Sequence, residues 1–104
     1  MTSAELIFGR SLAAGGFVSD ADWAKFIDTE VTPRFPDGLS VLDAQGQWRG
    51  PDGAVVREPS KLLLIVIKGT KEAEAKLEAI RAAYKGRFKQ QSVLLIEHRE
   101  CASF

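Results

Sequence analysis

Six apolar residues in succession, Leu62-Leu63-Leu64-Ile65-Val66-Ile67, stand between Lys61 and Lys68 and limit what this chain can fold into. A strand turns alternate side chains to its two faces. Leu62, Leu64 and Val66 therefore share one face, and Leu63, Ile65 and Ile67 the other. Six residues make less than two helical turns, and a different, helical pattern opens at Thr70, so the run reads as a strand. A strand that is apolar on both sides needs cover on both sides. It belongs at the centre of a sheet.

The rest of the chain supplies that sheet. Residues 5–9 (ELIFG) form a short strand that runs into Arg10 and Ser11, and the Gly15-Gly16 pair marks a loop. Ser19 before Asp20 and Asp22 is a helix start, because its hydroxyl can accept a backbone N–H and the carboxylates suit the positive helix end. Trp23, Phe26, Ile27 and Val31 recur at helical spacing until Pro33, which ends the helix near Thr32. Residues 39–43 read as a strand, with a turn or bulge at Gly46, and Gly50-Pro51-Asp52-Gly53 reads as a hairpin. Pro59 cannot donate to a ladder, so it is expected at a bulge or strand start that separates the arm from the central strand. Thr70 caps a second helix with Ala73, Leu77, Ile80 and Tyr84 on its buried stripe, and Gly86 is expected to end it. Residues 91–97 are the last strand.

The order is β-α-β-β-α-β, the split βαβ arrangement. It predicts an α+β, ferredoxin-like fold in one domain over residues 1–104, with a four-stranded antiparallel sheet and two helices on one face. Two helices cover one face only. The apolar residues left over from 62–67 and 93–96 predict a second layer, and the expected source is another copy of the chain packed sheet against sheet. The competing arrangement is a monomer with the arm of residues 47–56 folded across the sheet.

Composition excludes several functions. Fourteen basic and fourteen acidic residues leave no net charge, which argues against a general electrostatic grip on nucleic acid or an anionic membrane. The central strand carries Leu, Ile and Val where base stacking would need aromatics. No apolar run approaches the roughly 20 residues of a membrane span. The first residues, MTSAE, have neither a basic start nor a hydrophobic signal core, so the chain as given reads as cytoplasmic. Cys101 is the single cysteine and His98 the single histidine, which leaves no recognisable metal set, and nothing calls for a cofactor.

Phe8-Gly9-Arg10, the long block VTPRFPDGLSVLDAQGQW at residues 31–48, and REPSK at 57–61 resemble DUF3574, a family of small bacterial proteins of unknown function. The resemblance extends through AIRAAY at residues 79–84, Phe88, Gln91-Ser92-Val93 and the final Cys101-Ala102-Ser103-Phe104. Many members of the family look exported, and the first residues as given do not read as such a leader. A periplasmic location would imply that a leader has been removed. The family name implies no activity, substrate or catalytic residue.

Candidate site residues are therefore polar groups beside glycine or proline turns. Arg10 and Ser11 leave the first strand, Arg34 stands between two prolines, Trp48 and Arg49 follow a glycine turn, and Arg57, Glu58, Ser60 and Lys61 surround Pro59. Arginines beside a tryptophan wall suit a small organic anion, because the guanidinium fork pairs with carboxylate or phosphate oxygens. Arg57 leads this set, with Arg10, Arg34, Lys61 and Trp48 as further ligand-binding candidates and Glu58 and His98 as catalytic candidates. The bland reading of each is a turn tie, or a core or dimer contact for Trp48. Two functions follow as expectations: a small homodimeric binding or accessory protein for a partly apolar organic acid, or a cofactor-free enzyme acting on such an acid in a cleft beside the sheet.

Overall fold

The computed structural model describes residues 1–103; Phe104, the last residue of the resemblance, lies outside the described residues. The elements are β1 (Thr2–Gly9), α1 (Asp20–Phe26) continuing into a π-helical turn (Ile27–Val31), β2 (Ser40–Arg49), β3 (Val55–Ile67), α2 (Lys71–Phe88) and β4 (Leu94–Arg99). The strand order is β2-β3-β1-β4, with every neighbouring pair antiparallel. This is the ferredoxin-like α+β fold expected from the order of the elements. Among the described residues no helix is long and apolar enough to cross a membrane.

The register converts the alternation of β3 into two different surfaces. Leu63 pairs with Leu6 and Ile65 with Ala4, and all four are buried beneath the helices. Phe8, on the same face, meets Trp23, Phe26 and Tyr84 edge-on, with ring centroids 5.1, 6.0 and 4.8 Å away. Leu77 and Ile80 from α2 complete this core. Both helices begin as their sequences predict: Ser19 Oγ accepts from the Asp22 N–H at 3.0 Å, and Thr70 Oγ1 from the Ala73 N–H at 3.1 Å.

Five local expectations change. β1 begins at Thr2, opposite Ile67, because β3 is long enough to pair with the polar residues before Glu5. The first helix widens before Pro33, where the Thr32 N–H donates to the Ile27 carbonyl at 2.9 Å. α2 runs past Gly86 to Phe88, and Lys89 supplies the left-handed cap at φ 53°. Strand β2 is unbroken through Gly46, and β3 is unbroken through Pro59. Pro59 is tolerated because only its carbonyl is used: it accepts from the Arg10 N–H at 3.1 Å, while the Arg10 carbonyl takes the Val18 N–H at 2.8 Å. The N–H that proline lacks has no acceptor waiting for it.

The other face of the sheet carries no helix. Ile7, Leu62, Leu64 and Ile96 are half-buried there, while Leu42, Trp48, Val56, Val66 and Leu94 are exposed.

Candidate functional site

β2 and β3 extend beyond the end of β1 as a two-stranded arm, since the β1–β3 ladder stops at Gly9 opposite Ser60 while β2 and β3 pair on to Arg49 and Val55. Between this arm and the loops after β1 and after α2 lies a cleft of about 650 Å³. Its floor is Ile7, Gly9, Ser60 and Leu94, one wall is Trp48 with Gly46, and the other is formed by residues 11–13 and 89–92. Glu58 lines it as the one acidic side chain and Lys89 as the one basic side chain among the described residues.

The cleft's inner end is tightly tied. In the β1–β3 ladder the Arg10 N–H bonds to Pro59, so even-numbered residues of β1 bond to β3 and odd-numbered ones turn toward β4. The β1–β4 ladder stops at Ile7 opposite Leu94, which leaves the Gly9 carbonyl without a strand partner. The Tyr84 hydroxyl donates to it at 2.5 Å. Burial pushes the Tyr84 phenol up to about 12, with the Glu58 charge acting in the same sense and Arg10 opposing. Beyond Gly9, the Ser11 N–H donates to Glu58 Oε1 at 3.1 Å and Gln90 Nε2 donates to the Ser11 carbonyl at 2.9 Å. Gly9 leaves room for this carboxylate: a Cβ at this position would lie 2.2 Å from Glu58 Oε1 and would push it aside.

Of the residues singled out from the sequence, Trp48 and Glu58 come together in this cleft. Arg57 does not join them. It pairs with Gln47 whereas Trp48 pairs with Val56, so the arginine and the indole stand on opposite faces of the arm. Arg10 donates to the Val18 carbonyl through Nε and Nη2, at 2.9 and 2.6 Å, and to Asp20 at 3.1 Å. Lys61 is buried on the helix side, 2.5 Å from Asp43 and 3.3 Å from Asp20. Its hydrogen bond to Asp43 holds the ammonium above the usual lysine value and the Asp43 carboxyl below its own. Arg10, Lys61, Asp20 and Asp43 thus neutralise one another where β1 meets α1. Arg34 donates to the Glu30 carbonyl and carboxylate, each at 2.8 Å, and borders a separate groove of about 880 Å³ with Phe35 and Leu39. His98 is exposed on β4, pointing to the opposite face from Glu97. Glu97 faces α2, and a hydrogen bond with Glu74, helped by desolvation, raises its carboxyl above the usual range. Among the described residues no three His, Cys, Asp or Glu side chains converge as metal ligands would.

The sequence offered Ser11 and Ser60 only as neighbours of arginine and proline. It placed Gly9 at the end of the first strand and Tyr84 on a buried helix stripe, but carried no sign of the contact between them or of the one made by Gln90, which arise across more than seventy residues of chain.

The DUF3574 family model, described as a protein family of unknown function, matches residues 3–104. This chain belongs to the DUF3574 family. No match is found among curated proteins. Among solved structures the DUF3574 chain is similar to a phage SAM lyase in complex with S-methyl-5'-thioadenosine, at 20% identity over 93% of this chain and 79% of that one, with a TM-score of 0.73. A phage SAM lyase in the apo state gives a TM-score of 0.70 at 20% identity, over 93% of this chain and 78% of that one. CutA from Synechococcus elongatus is similar at 14% identity over 98% of this chain and 80% of that one, with a TM-score of 0.60. At these identities the likeness is one of fold.

Proposed function

We propose that this chain is a small homodimeric protein that binds a small, partly apolar molecule in the cleft of Glu58 and Trp48. The observation that carries the reading is the cleft's own chemistry: an indole wall, an apolar floor and a single carboxylate fixed by the Ser11 N–H. A carboxylate acceptor favours a ligand whose polar end offers hydroxyl or amino donors, or a positive charge. This narrows the organic-acid expectation. Neither Arg10 nor Arg34 nor Arg57 lines the cleft, and its one basic side chain, Lys89, stands on the wall across from the indole, so a free carboxylate on the ligand would meet Glu58 with no guanidinium fork to hold it. A nucleoside thioether such as S-methyl-5'-thioadenosine, held by the similar phage lyase, has the favoured features: a flat ring for the indole and ribose hydroxyls that donate.

The homodimer rests on the open sheet face. With strands about 4.8 Å apart and about 3.3 Å per residue, the four strands, arm included, present a plane of roughly 600 Å². Specific dimers bury about 600–1,000 Å² per partner, so this face lies at the lower end of that range. An equal face from a second copy is a layer of the right size, and micromolar sedimentation equilibrium should give a dimer. A clean monomer would overturn that part of the reading.

Ligand binding is tested by titration calorimetry with S-methyl-5'-thioadenosine and, in parallel, with 2-naphthoate, an apolar carboxylate without donors. The thioether should bind and the naphthoate should not. Losing a hydrogen bond to a charged group costs about 1.5–3 kcal/mol, so Glu58→Gln should weaken binding tenfold or more. Equal affinity in Glu58→Gln, or preference for naphthoate, would refute the assignment. A second reading, a cofactor-free enzyme, is favoured by the same carboxylate, which could take a proton from a bound ligand. Ligand turnover followed by mass spectrometry, present in the wild type and absent in Glu58→Gln, distinguishes enzyme from binder.

A further inference from the structure

The open face is not uniformly bulky. Gly9 pairs with Ser60, Ser60 with Ala44, and Glu58 with Gly46, so small side chains sit side by side across β1, β3 and β2. Around this depression stand Ile7, Trp48, Leu62 and Leu94. Packed sheets lie about 10 Å apart, and their side chains fill that space by interdigitating. A second layer resting on the large residues cannot reach the bottom of the depression. It would roof it instead.

Ser60 puts an accessible polar group at the floor of this depression. The residue is only 5% exposed and lines the cleft, and its hydroxyl has no hydrogen-bond partner among the described residues. Yet it is not sealed off, because among the described residues no side-chain polar atom is both buried from solvent and unpaired. The cleft is thus the route by which this hydroxyl meets water or a ligand.

We infer that the ligand site is completed by the second copy: the cleft over Gly9, Ser60 and Glu58 is open in one subunit and becomes an enclosed chamber when the open sheet faces pack. This rests on the binding reading above and adds to it a linkage between ligand and assembly. Closure strips water from the ligand's apolar surface and from the Glu58 hydrogen bonds, both of which then strengthen. Because linkage is reciprocal, a ligand that binds the dimer more tightly must tighten the dimer by the same factor per coupled event.

Two measurements test it, with S-methyl-5'-thioadenosine as the probe. Leu42→Asp and Val66→Asp each place a charge on the open face at an exposed residue outside the cleft. Each variant should sediment as a monomer with wild-type circular dichroism and bind the probe at least tenfold more weakly. A folded monomeric variant that binds as tightly as the wild type overturns the shared site while leaving the binding reading intact. The second measurement needs no substitution: wild-type protein is sedimented near its dimer dissociation constant with and without saturating probe. The dimer association constant should rise by at least the factor lost in the variants. An unchanged dimer constant in the presence of bound probe overturns the inference, and a wild-type dimer that does not bind the probe at all overturns both readings together.

Discussion

Replacing Tyr84 by phenylalanine separates the two duties that the structure gives this side chain. Its ring is fully buried among Phe8, Trp23, Phe26 and Phe88, and its hydroxyl is the partner of the Gly9 carbonyl left over when the β1–β4 ladder ends. Phenylalanine keeps the ring and removes the hydroxyl, leaving a carbonyl unpaired. Such a loss costs about 1–3 kcal/mol, and a fall of about 4–8 °C in Tm accompanies each kcal/mol in a chain near this size. The phenol adds a pH signature. Its folded-state value, about 12, lies above the ordinary 10.0, so the folded protein holds this proton more tightly than the unfolded chain. Stability from this group is complete below pH 10 and is lost as the pH rises toward about 12. At pH 11 the linkage removes on the order of 1 kcal/mol. Urea titrations of both proteins from pH 8 to about 11.5, at one protein concentration because unfolding is coupled to assembly, read both effects. Tyr84→Phe should be the less stable at pH 8, with the gap narrowing by on the order of 1 kcal/mol by pH 11. Lysine titration is common to both proteins and cancels in the difference. Equal stability at pH 8 together with a constant gap to pH 11 would refute the assignment of this hydroxyl as a buried, carbonyl-bound phenol.

Gly9→Ala should leave the circular dichroism intact but displace the Glu58 carboxylate, since the new Cβ would lie 2.2 Å from Oε1, and calorimetry should show weaker binding of the nucleoside thioether; unchanged affinity would mean that this carboxylate position is not needed. Ile65→Lys puts a charge on the buried face and should abolish cooperative unfolding, whereas Leu64→Lys faces the open side and should give a folded monomer; the same outcome for both would contradict the two-faced alternation of β3. Glu97→Gln should raise the urea midpoint at pH 7. The Glu97 carboxyl is raised chiefly by its hydrogen bond with Glu74, so its contribution is greatest in acid and lost as the pH climbs through the raised value; a midpoint at pH 7 that falls instead would reverse the sign of that interaction.

The fold was legible because its determinants are local or periodic. The apolar run of β3, the caps at Ser19 and Thr70, and the spacing of Ala73, Leu77, Ile80 and Tyr84 each specify an element within a few residues. Errors fell where a local rule depends on a distant partner. Proline disfavours a central strand because it lacks an N–H, but Pro59 stands opposite an Arg10 carbonyl already occupied by Val18, a fact no window around residue 59 contains. Gly86 is a poor helix residue, but its cost of about 1 kcal/mol is offset when Tyr84 and Phe88 on either side pack into the core.

The site was less legible for the same reason, carried further. Arginines attract notice in a sequence because their chemistry is loud, yet Arg10 and Arg34 are absorbed by the carbonyls and carboxylates nearest to them, and Arg57 faces away from the indole it was matched with. What makes the cleft is an absence of bulk: Gly9, Ala44, Gly46 and Ser60 lie on three different strands and become adjacent only through the register. A carboxylate at their edge then gains its meaning from position and not from type. Glu58 is anchored by a backbone N–H, stands against a wall of indole, and opens toward the one face of the molecule that its own helices leave uncovered. The feature that predicted a second layer from the sequence, an apolar strand with two faces and cover for only one, is thereby the same feature that would turn an open cleft into an enclosed one.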